Sequence, residues 1–340
     1  MKAIRIEEYG GPEKLRLRNL ELPDPGPGEV HIKLRAAGLN FVDVHQRRGE
    51  LRAAGPNFLD VGLSRGERSS YLPFTPGYDG AGIIEAVGEG INEFGPGDRV
   101  AYTGHRGTYA EASVVPATKL IPLPVDLSFE EGAAFPLQGM TAHYLIHEYR
   151  LPKRGDIVLI HAAAGGMGLL LVQWAKHLGA RVIGTVSTEE KARAARAAGA
   201  DEVILYTGQD FVAETRRLTD GRGADLIIDG VGKTTFTSNL EAAAMRGHVV
   251  IYGFANGLPD PIQPISLIWR AISISGGTLH SYTQTRDELL RRASDVLKGI
   301  HEGWLRLHID SVFPLAEAAE AQRRLETRVS TGKIILKTTA

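Results

Sequence analysis

The 340 residues contain no cysteine. That excludes disulfides, thiolate zinc sites and a cysteine nucleophile in one step, and it fits a reducing compartment. An excess of charge of one sign is missing too. The 39 basic and 40 acidic residues leave a net charge of −1, so no bulk attraction to nucleic acid or to an anionic membrane is expected. Met1–Tyr9 alternates like a strand and has no signal-peptide apolar core, so a cytoplasmic enzyme is the expectation. One stretch, Ile157–Ala175, is nearly free of charge and about long enough to span a bilayer. His161, Gln173 and several glycines interrupt it, and membrane-type flanks are lacking. What is there is an ordinary globular mixture, 43% hydrophobic and 23% charged, in a chain too long for one ordinary core, so two domains are expected.

The chain is organised around Asp156–Val186. Ile157–His161 is a short apolar run of a buried strand. The small residues Ala162–Gly168 follow, then a helical pattern with Leu169, Val172, Trp174, Ala175 and Leu178 on its apolar side. Gly179 suits a helix C-terminus, and Arg181–Val186 is a second buried strand. Strand, glycine turn, helix and strand within about 30 residues make a βαβ unit. Small residues let the backbone approach a pyrophosphate, and the next helix points free N–H groups at it. Ala164, Gly165, Gly166, Met167 and Gly168 are thus the candidate phosphate cradle. The turn matches G-x-G-x-x-G only loosely, and its context carries the reading.

Up to residue 125 the chain reads as short strands, among them Glu29–Ala36, Gly80–Val87 and Asp98–Tyr102, punctuated by Pro and Gly as in a small β-rich barrel. Pro122–Asp126 looks like a linker. Ser128–Glu131 has capping-box spacing and starts a helix. Strands are then expected at 157–161, 181–186, 202–205, 225–229, 248–252 and 272–275. Helices are expected at 166–178, 188–198, 210–219 and 235–245. This is a doubly wound, mostly parallel α/β sheet. The later helices, near Arg286–Glu302 and Leu315–Arg328, and the strand Lys333–Lys337 have no sheet of their own, so the chain is expected to return to its first domain. The domains are then 1–127 with 278–340, and 128–277. Leu34–Glu50 also recurs at once as Leu51–Glu67, identical at twelve of seventeen positions. This is a tandem duplication rather than a solenoid.

GLNFVD (38–43), LPFTPGYDGAGIIEAVG (72–88), GDRV (97–100), the AAAGGMG turn, QWAKHLGA (173–180) and TGKIIL (331–336) together give a resemblance over almost the whole chain. It resembles the medium-chain dehydrogenase/reductase superfamily, and within it the zinc-independent quinone oxidoreductases related to ζ-crystallin. The resemblance implies a GroES-like β-rich catalytic domain, split in sequence around a Rossmann domain, with the active site between the two. The superfamily's alcohol dehydrogenases hold zinc with Cys, His and Cys. The positions that look equivalent here are Asn40, Tyr78 and about Gly139, which are not a usable ligand set. His143 and His147 stand four apart in a helical stretch without a third ligand and are read as packing or surface histidines.

NAD enzymes of this fold usually place a carboxylate at the end of the second strand, on the ribose hydroxyl. Ser187 and Thr188 stand there instead, with Lys191 one turn on, which points to NADPH. Ser187 with Glu190 also fits a capping box, and both roles can hold at once; Glu189 and Glu190 lie close by. By the resemblance, Lys191, Tyr206 and Arg328 fall where relatives contact the 2′-phosphate, and Thr141, Tyr252 and Phe254 fall near the nicotinamide. The expected reaction is NADPH-dependent reduction of a quinone or related conjugated carbonyl. An enoyl or alkenal reductase is the alternative, and a crystallin-like, non-enzymatic NADPH-binding role is the reading from another class. Asn40 could donate a hydrogen bond to the carbonyl, or it is a turn asparagine holding backbone. Of the two copies of N-F-x-D, Asn40 is expected to line the site, with residues of roughly 51–70 bulging out as an insertion that costs little closure entropy. The resemblance further implies a homodimer through the last strand of the sheet, Ile272–Ser275.

Overall fold

The computed structural model describes residues 1–50 and 72–338. The second copy of the repeat, with Asn57, and the whole of the expected bulge over 51–70 lie outside the described residues. One unit comprises Met1–Leu137, His280–Ser294 and Ile309–Ala340; the other comprises Gln138–Leu279 and Asp295–His308.

In chain order the elements begin with β1 (Lys2–Arg5), β2 (Arg16–Asn19), β3 (Glu29–Gly38) and α1 (Phe41–Arg48). Next come β4 (Asp79–Val87), β5 (Arg99–Tyr102), β6 (Ala112–Pro116), β7 (Leu120–Pro122), α2 (Phe129–Ala134) and α3 (Pro136–Tyr144). The alternating part is β8 (Ile157–Ile160), α4 (Gly166–His177), β9 (Arg181–Val186), α5 (Glu189–Ala197), β10 (Glu202–Leu205), α6 (Phe211–Leu218), β11 (Ala224–Asp229), α7 (Phe236–Ala242), β12 (Ala243–Ile251) and β13 (Ser273–Gly276). The chain ends with α8 (Arg286–His301), β14 (Ile309–Pro314), α9 (Ala318–Glu326) and β15 (Lys333–Lys337).

The first unit is β-rich. Its larger sheet runs β14-β15-β3-β4-β5-β7, with β6 also on β3. Along β3 the residues Val30, Ile32 and Leu34 turn inward and are fully buried beside Ile84, Val100 and Val115. At its far end β3 is paired on both sides: Gly38 lies opposite Asp79 of β4 and Ile335 of β15. The second unit's sheet runs β10-β9-β8-β11-β12-β13 with every pairing parallel, the strand order of a Rossmann fold. All four residues of β8 are buried, as expected of a strand covered on both faces.

Several elements differ from the sequence reading. Helix α1 follows β3 where the sequence reading assigned no helix, because Asn40 and Asp43 cap it and Gly49, at φ +72°, ends it. The segment read as a linker begins inside β7. The first strand covers only Lys2–Arg5 of Met1–Tyr9. The helix expected from Leu315 starts as a 3₁₀ turn over Leu315–Glu317 and becomes α-helical at Ala318. Helix α7 stops at Ala242 because Ala243 is extended, at ψ 151°.

Candidate active site

In the first unit, the site grows from the buried end of β3. Asn40 follows it in extended conformation, φ −137° and ψ 156°, as the N-cap of α1. The Asp43 carboxylate, one turn on, accepts the Asn40 backbone N–H at 2.9 Å and the Tyr109 hydroxyl at 3.0 Å through the same oxygen. The sheet register brings Asp79 and Lys333, the first residues of β4 and β15, to the same place. Asn40 Nδ2 donates to Asp79 Oδ2 at 2.8 Å and, more weakly, to the Gly38 carbonyl at 3.4 Å. Lys333 Nζ donates to Asn40 Oδ1 at 2.7 Å and to Asp79 Oδ2 at 2.8 Å. Asp79 Oδ1 accepts the N–H of Leu137, in the first turn of α3, at 3.0 Å. Next to Asp79, the Tyr78 hydroxyl accepts from Gln46 Nε2 of α1. Asn40 is thus engaged at both ends of its amide.

Asp43 is fully buried, and burial pushes its carboxyl from 3.8 up to about 7, against the opposing hydrogen bonds of Asn40 and Tyr109 and the charge of Lys333. Burial, and then the neighbouring Asp43, likewise push the Tyr109 phenol well up. The folded Asp43 value lies above the unfolded one, so folding favours the protonated form. That stability is fully present below the unfolded value and is lost as pH rises through about 7; its size is about 4 kcal/mol. Asn at this position keeps an acceptor for both partners and removes the charge. Asp43→Asn is therefore expected to lose less stability than the wild type between about pH 4.5 and about pH 8, read as urea midpoints. An equal pH dependence in both proteins would refute this.

In the second unit, β8 leads into His161 and then Ala162, which sits at φ +51°. A Cβ at Gly168 would lie 2.2 Å from the Ala162 carbonyl and 2.6 Å from Ala163 Cα, so this turn closes only on glycine. Helix α4 begins at Gly165 with no side-chain cap and no acidic residue in its first turn. By contrast Ser128 caps α2, Thr188 caps α5 and Asp210 caps α6. The Gly165 N–H donates to the Ala162 carbonyl at 2.9 Å, and among the described residues no acidic side chain caps the first-turn N–H groups of Gly166, Met167 and Gly168, the arrangement that takes a phosphate. Ala164, just before them, is buried.

A buried chain of polar groups supports the turn from beneath. His161 meets Thr185 Oγ1 of β9 at 3.0 Å and Asn239 Oδ1 of α7 at 2.7 Å. Asn239 Nδ2 donates to Asp229 Oδ2 at 2.7 Å, and Asp229 Oδ1 accepts the N–H groups of Val231 and Gly232. The ends of β8, β9 and β11 are thereby tied together. The sequence reading treated His161 only as an interruption of an apolar run. Its place directly ahead of the small-residue turn was the available signal.

At the end of β9 the expected capping pair of Ser187 and Glu190 is corrected. Thr188 is the N-cap, its hydroxyl accepting the Lys191 N–H at 3.2 Å. Ser187 lies one residue outside the helix, and Thr207 donates to its carbonyl at 3.2 Å. Tyr206 is bonded through its backbone N–H to Val186 and is 46% exposed, so Ser187, Lys191 and Tyr206 share one corner of the unit. Arg328 belongs to the other unit, just past α9, at φ +58°. Tyr252 follows β12, and a Cβ at Gly230 would lie 2.5 Å from its ring. Burial, and then Asp229, raise its phenol. Phe254 backs Gly232, and Thr141 is buried in α3.

The histidines of α3 and its extension pack rather than ligate. The His143 and His147 rings stack at 4.5 Å. His143 meets Asp295 at 2.8 Å, and Trp174 Nε1 donates to His147 Nε2 at 3.1 Å. Among the described residues no three His, Asp or Glu are grouped to hold a metal ion, and no helix is long and apolar enough to cross a membrane.

Comparison with known proteins agrees with both halves of this geometry. The profile described as "Alcohol dehydrogenase GroES-like domain" matches residues 26–125, and that described as "Zinc-binding dehydrogenase" matches residues 166–295. A quinone oxidoreductase of Pseudomonas aeruginosa is 40% identical, covering 98% of this chain and 99% of that protein. The chain belongs to the quinone oxidoreductase family of the medium-chain dehydrogenase/reductase superfamily. Another similar protein is a 2-haloacrylate reductase of a Burkholderia species, 38% identical, with 98% of each chain covered. The crystal structure of an Escherichia coli quinone oxidoreductase complexed with NADPH superposes with a TM-score of 0.91, at 32% identity, over 99% of this chain and all of that one. Despite the second profile's description, zinc does not fit the positions that look equivalent to its ligands. Asn40 and Tyr78 are already bonded within the protein, and Gly139 packs its bare Cα against Val296. The donor set of this quinone oxidoreductase family member offers an amide, a phenol and no side chain at all.

Proposed function

We propose that this protein reduces quinones, or double bonds conjugated to a carbonyl, with a hydride from NADPH. The observation that carries the reading is the pairing of a glycine-closed turn under an uncapped helix with a β9 end that bears Ser187 and Thr188 where a carboxylate would reject a 2′-phosphate. NADPH supplies the hydride when bound, from C4 of its nicotinamide. Gly165–Gly168 and the first turn of α4 hold the pyrophosphate. Ser187, Lys191 and Tyr206 would hold the 2′-phosphate, and Thr141, Tyr252 and Phe254 would flank the nicotinamide. Asn40 would give a hydrogen bond to the substrate carbonyl, whose oxygen gains charge on reduction, in exchange for its weak 3.4 Å bond to the Gly38 carbonyl. A quinone accepts hydride readily, so no Lewis acid is needed. The second reading, saturation of an activated C=C bond, is favoured by the relative named 2-haloacrylate reductase. A panel of quinones, alkenals and enones with NADPH, followed at the nicotinamide absorbance, tests both. Absence of NADPH oxidation with every compound would sink them together.

We also propose a homodimer through β13. It is the end strand of its sheet, paired to β12 alone among the described strands. Ile265, Ile268 and Trp269, just before it in sequence, are exposed, Trp269 by 82%. An open edge next to exposed apolar side chains is an association surface or an aggregation hazard. The protein is expected to run at twice its chain mass of 36.8 kDa. Ile268→Glu with Trp269→Glu is expected to shift it toward the monomer mass in light scattering; a monomeric wild type would end the proposal.

A further inference from the structure

We infer that Lys333 and Asp79 are positioning residues that fix the orientation of the Asn40 amide, and through it the second N–H, which lies on the Gly38 carbonyl at 3.4 Å and which a substrate carbonyl would draw away from that weak bond. The inference rests on the reading of Asn40 as the substrate's hydrogen-bond partner. An asparagine side chain has two ends of nearly the same shape and opposite polarity, and a half-turn about its last bond exchanges them. Here each end faces a group that works in one direction only. Oδ1 faces the Lys333 ammonium, which can only donate, at 2.7 Å. Nδ2 faces the Asp79 carboxylate, which can only accept, at 2.8 Å. A flipped amide would set N–H groups against the ammonium and a carbonyl against the carboxylate. It would do so where Asn40, Asp79 and Lys333 are only 4%, 0% and 3% exposed, so water could not relieve either contact.

The three side chains form a closed ring, because Lys333 also bonds Asp79 at 2.8 Å. The ring itself is braced. Asp79 Oδ1 is held by the Leu137 N–H and the Asn40 backbone by Asp43, and the three residues come from the adjacent ends of β3, β4 and β15. A buried ion pair is seldom the most stabilising filling for such a space, and a retained one can serve specificity of arrangement. In this ring the specificity is the direction of one amide.

The test separates polarity from size. Lys333→Gln and Asp79→Asn keep the approximate size but give each position both a donor and an acceptor, so the amide is no longer held one way. Lys333→Arg and Asp79→Glu change the size and keep the polarity. Each is assayed for kcat and for the KM of NADPH with the best substrate of the panel, with NADPH affinity and melting temperature as controls for folding. The expected result is a loss of about tenfold in kcat for Lys333→Gln and for Asp79→Asn, with the NADPH KM held, a fraction of what losing a whole oxyanion donor costs. Lys333→Arg and Asp79→Glu should each lose less. Where a single neutral variant leaves an unpaired charge and does not fold, the double variant Lys333→Gln with Asp79→Asn makes the same comparison. Equal damage in all four, or greater damage from the size changes, would show a packing role and overturn the inference. Asn40→Ala distinguishes the layers. If it retains turnover, the reading of Asn40 fails and the inference falls with it. If it is impaired while both polarity-breaking variants match the wild type, only the orientation role is overturned.

Discussion

Ser187→Asp is expected to reverse the coenzyme preference. Ser187 stands outside the capped turn of α5, one residue beyond β9, and beside Tyr206. The capping oxygen is that of Thr188, so the substitution leaves the helix start intact. A carboxylate there removes a hydrogen bond to a charged group, worth roughly 1.5–3 kcal/mol. It also adds like-charge repulsion of ~1–4 kcal/mol at contact distance in partly screened surroundings. Together these amount to about two orders of magnitude or more in kcat/KM for NADPH. The NADH value should hold or rise, since aspartate can accept from the ribose hydroxyls. Steady-state kcat/KM for both coenzymes, before and after the substitution, is the measurement. A wild type that uses the two equally, or a variant that still prefers NADPH, would contradict the assignment.

The other large effect is expected at Gly168. Its added methyl would meet the backbone of Ala162 and Ala163 at 2.2 and 2.6 Å. Backbone atoms in a turn between β8 and α4 cannot swing aside as a side chain can, so the cost exceeds the ~1–3 kcal/mol of an ordinary overpacked core. Gly168→Ala should bind NADPH too weakly to detect by nicotinamide fluorescence and should melt below the wild type. Gly166→Ala meets the end of the Gln138 side chain at 2.4 Å, and Gly165→Ala meets its nearest atom at 3.3 Å. The expected order of damage is therefore 168, then 166, then 165. A tolerated Gly168→Ala would mean that the turn opens to accept it.

The parallel sheet was legible because its strands are buried on both faces and so read as unbroken apolar runs between glycine and cap signals. Arg181–Val186 was placed to the residue for that reason, whereas Glu202–Leu205, an edge strand with only Ile204 buried, was read from its short apolar run after Gly199. Helix α1 was not, because Phe41, Val42 and Val44 continue the apolar run of β3 and the N-x-x-D cap of Asn40 and Asp43 was not weighed as a helix start. The cap at α5 slipped by one because Ser187 and Thr188 are both good caps, and only backbone geometry chooses between them. The Asn40–Asp79–Lys333 ring was least accessible. Its members look like a turn amide, a strand-start acid and a strand-start base, and Lys333 lies 293 residues from Asn40. Periodicity reports which face of a strand is buried. It cannot report which distant strand delivers the matching charge.

The pairing of β15 with β3 also orders events during synthesis. Strand β3 leaves the ribosome early, but the strand that covers its far end is translated after all the strands of the other unit's sheet. By then all of β8 through β13 has emerged, and those six strands can pair with one another. The unit begun first is thus the one finished last. Until β15 emerges its nascent sheet exposes the β3 edge, and Asp79 waits without its cation. A chain that stalls or is cut before residue 333 therefore has one completed sheet and one that cannot close, leaving a sticky edge for quality control to recognise.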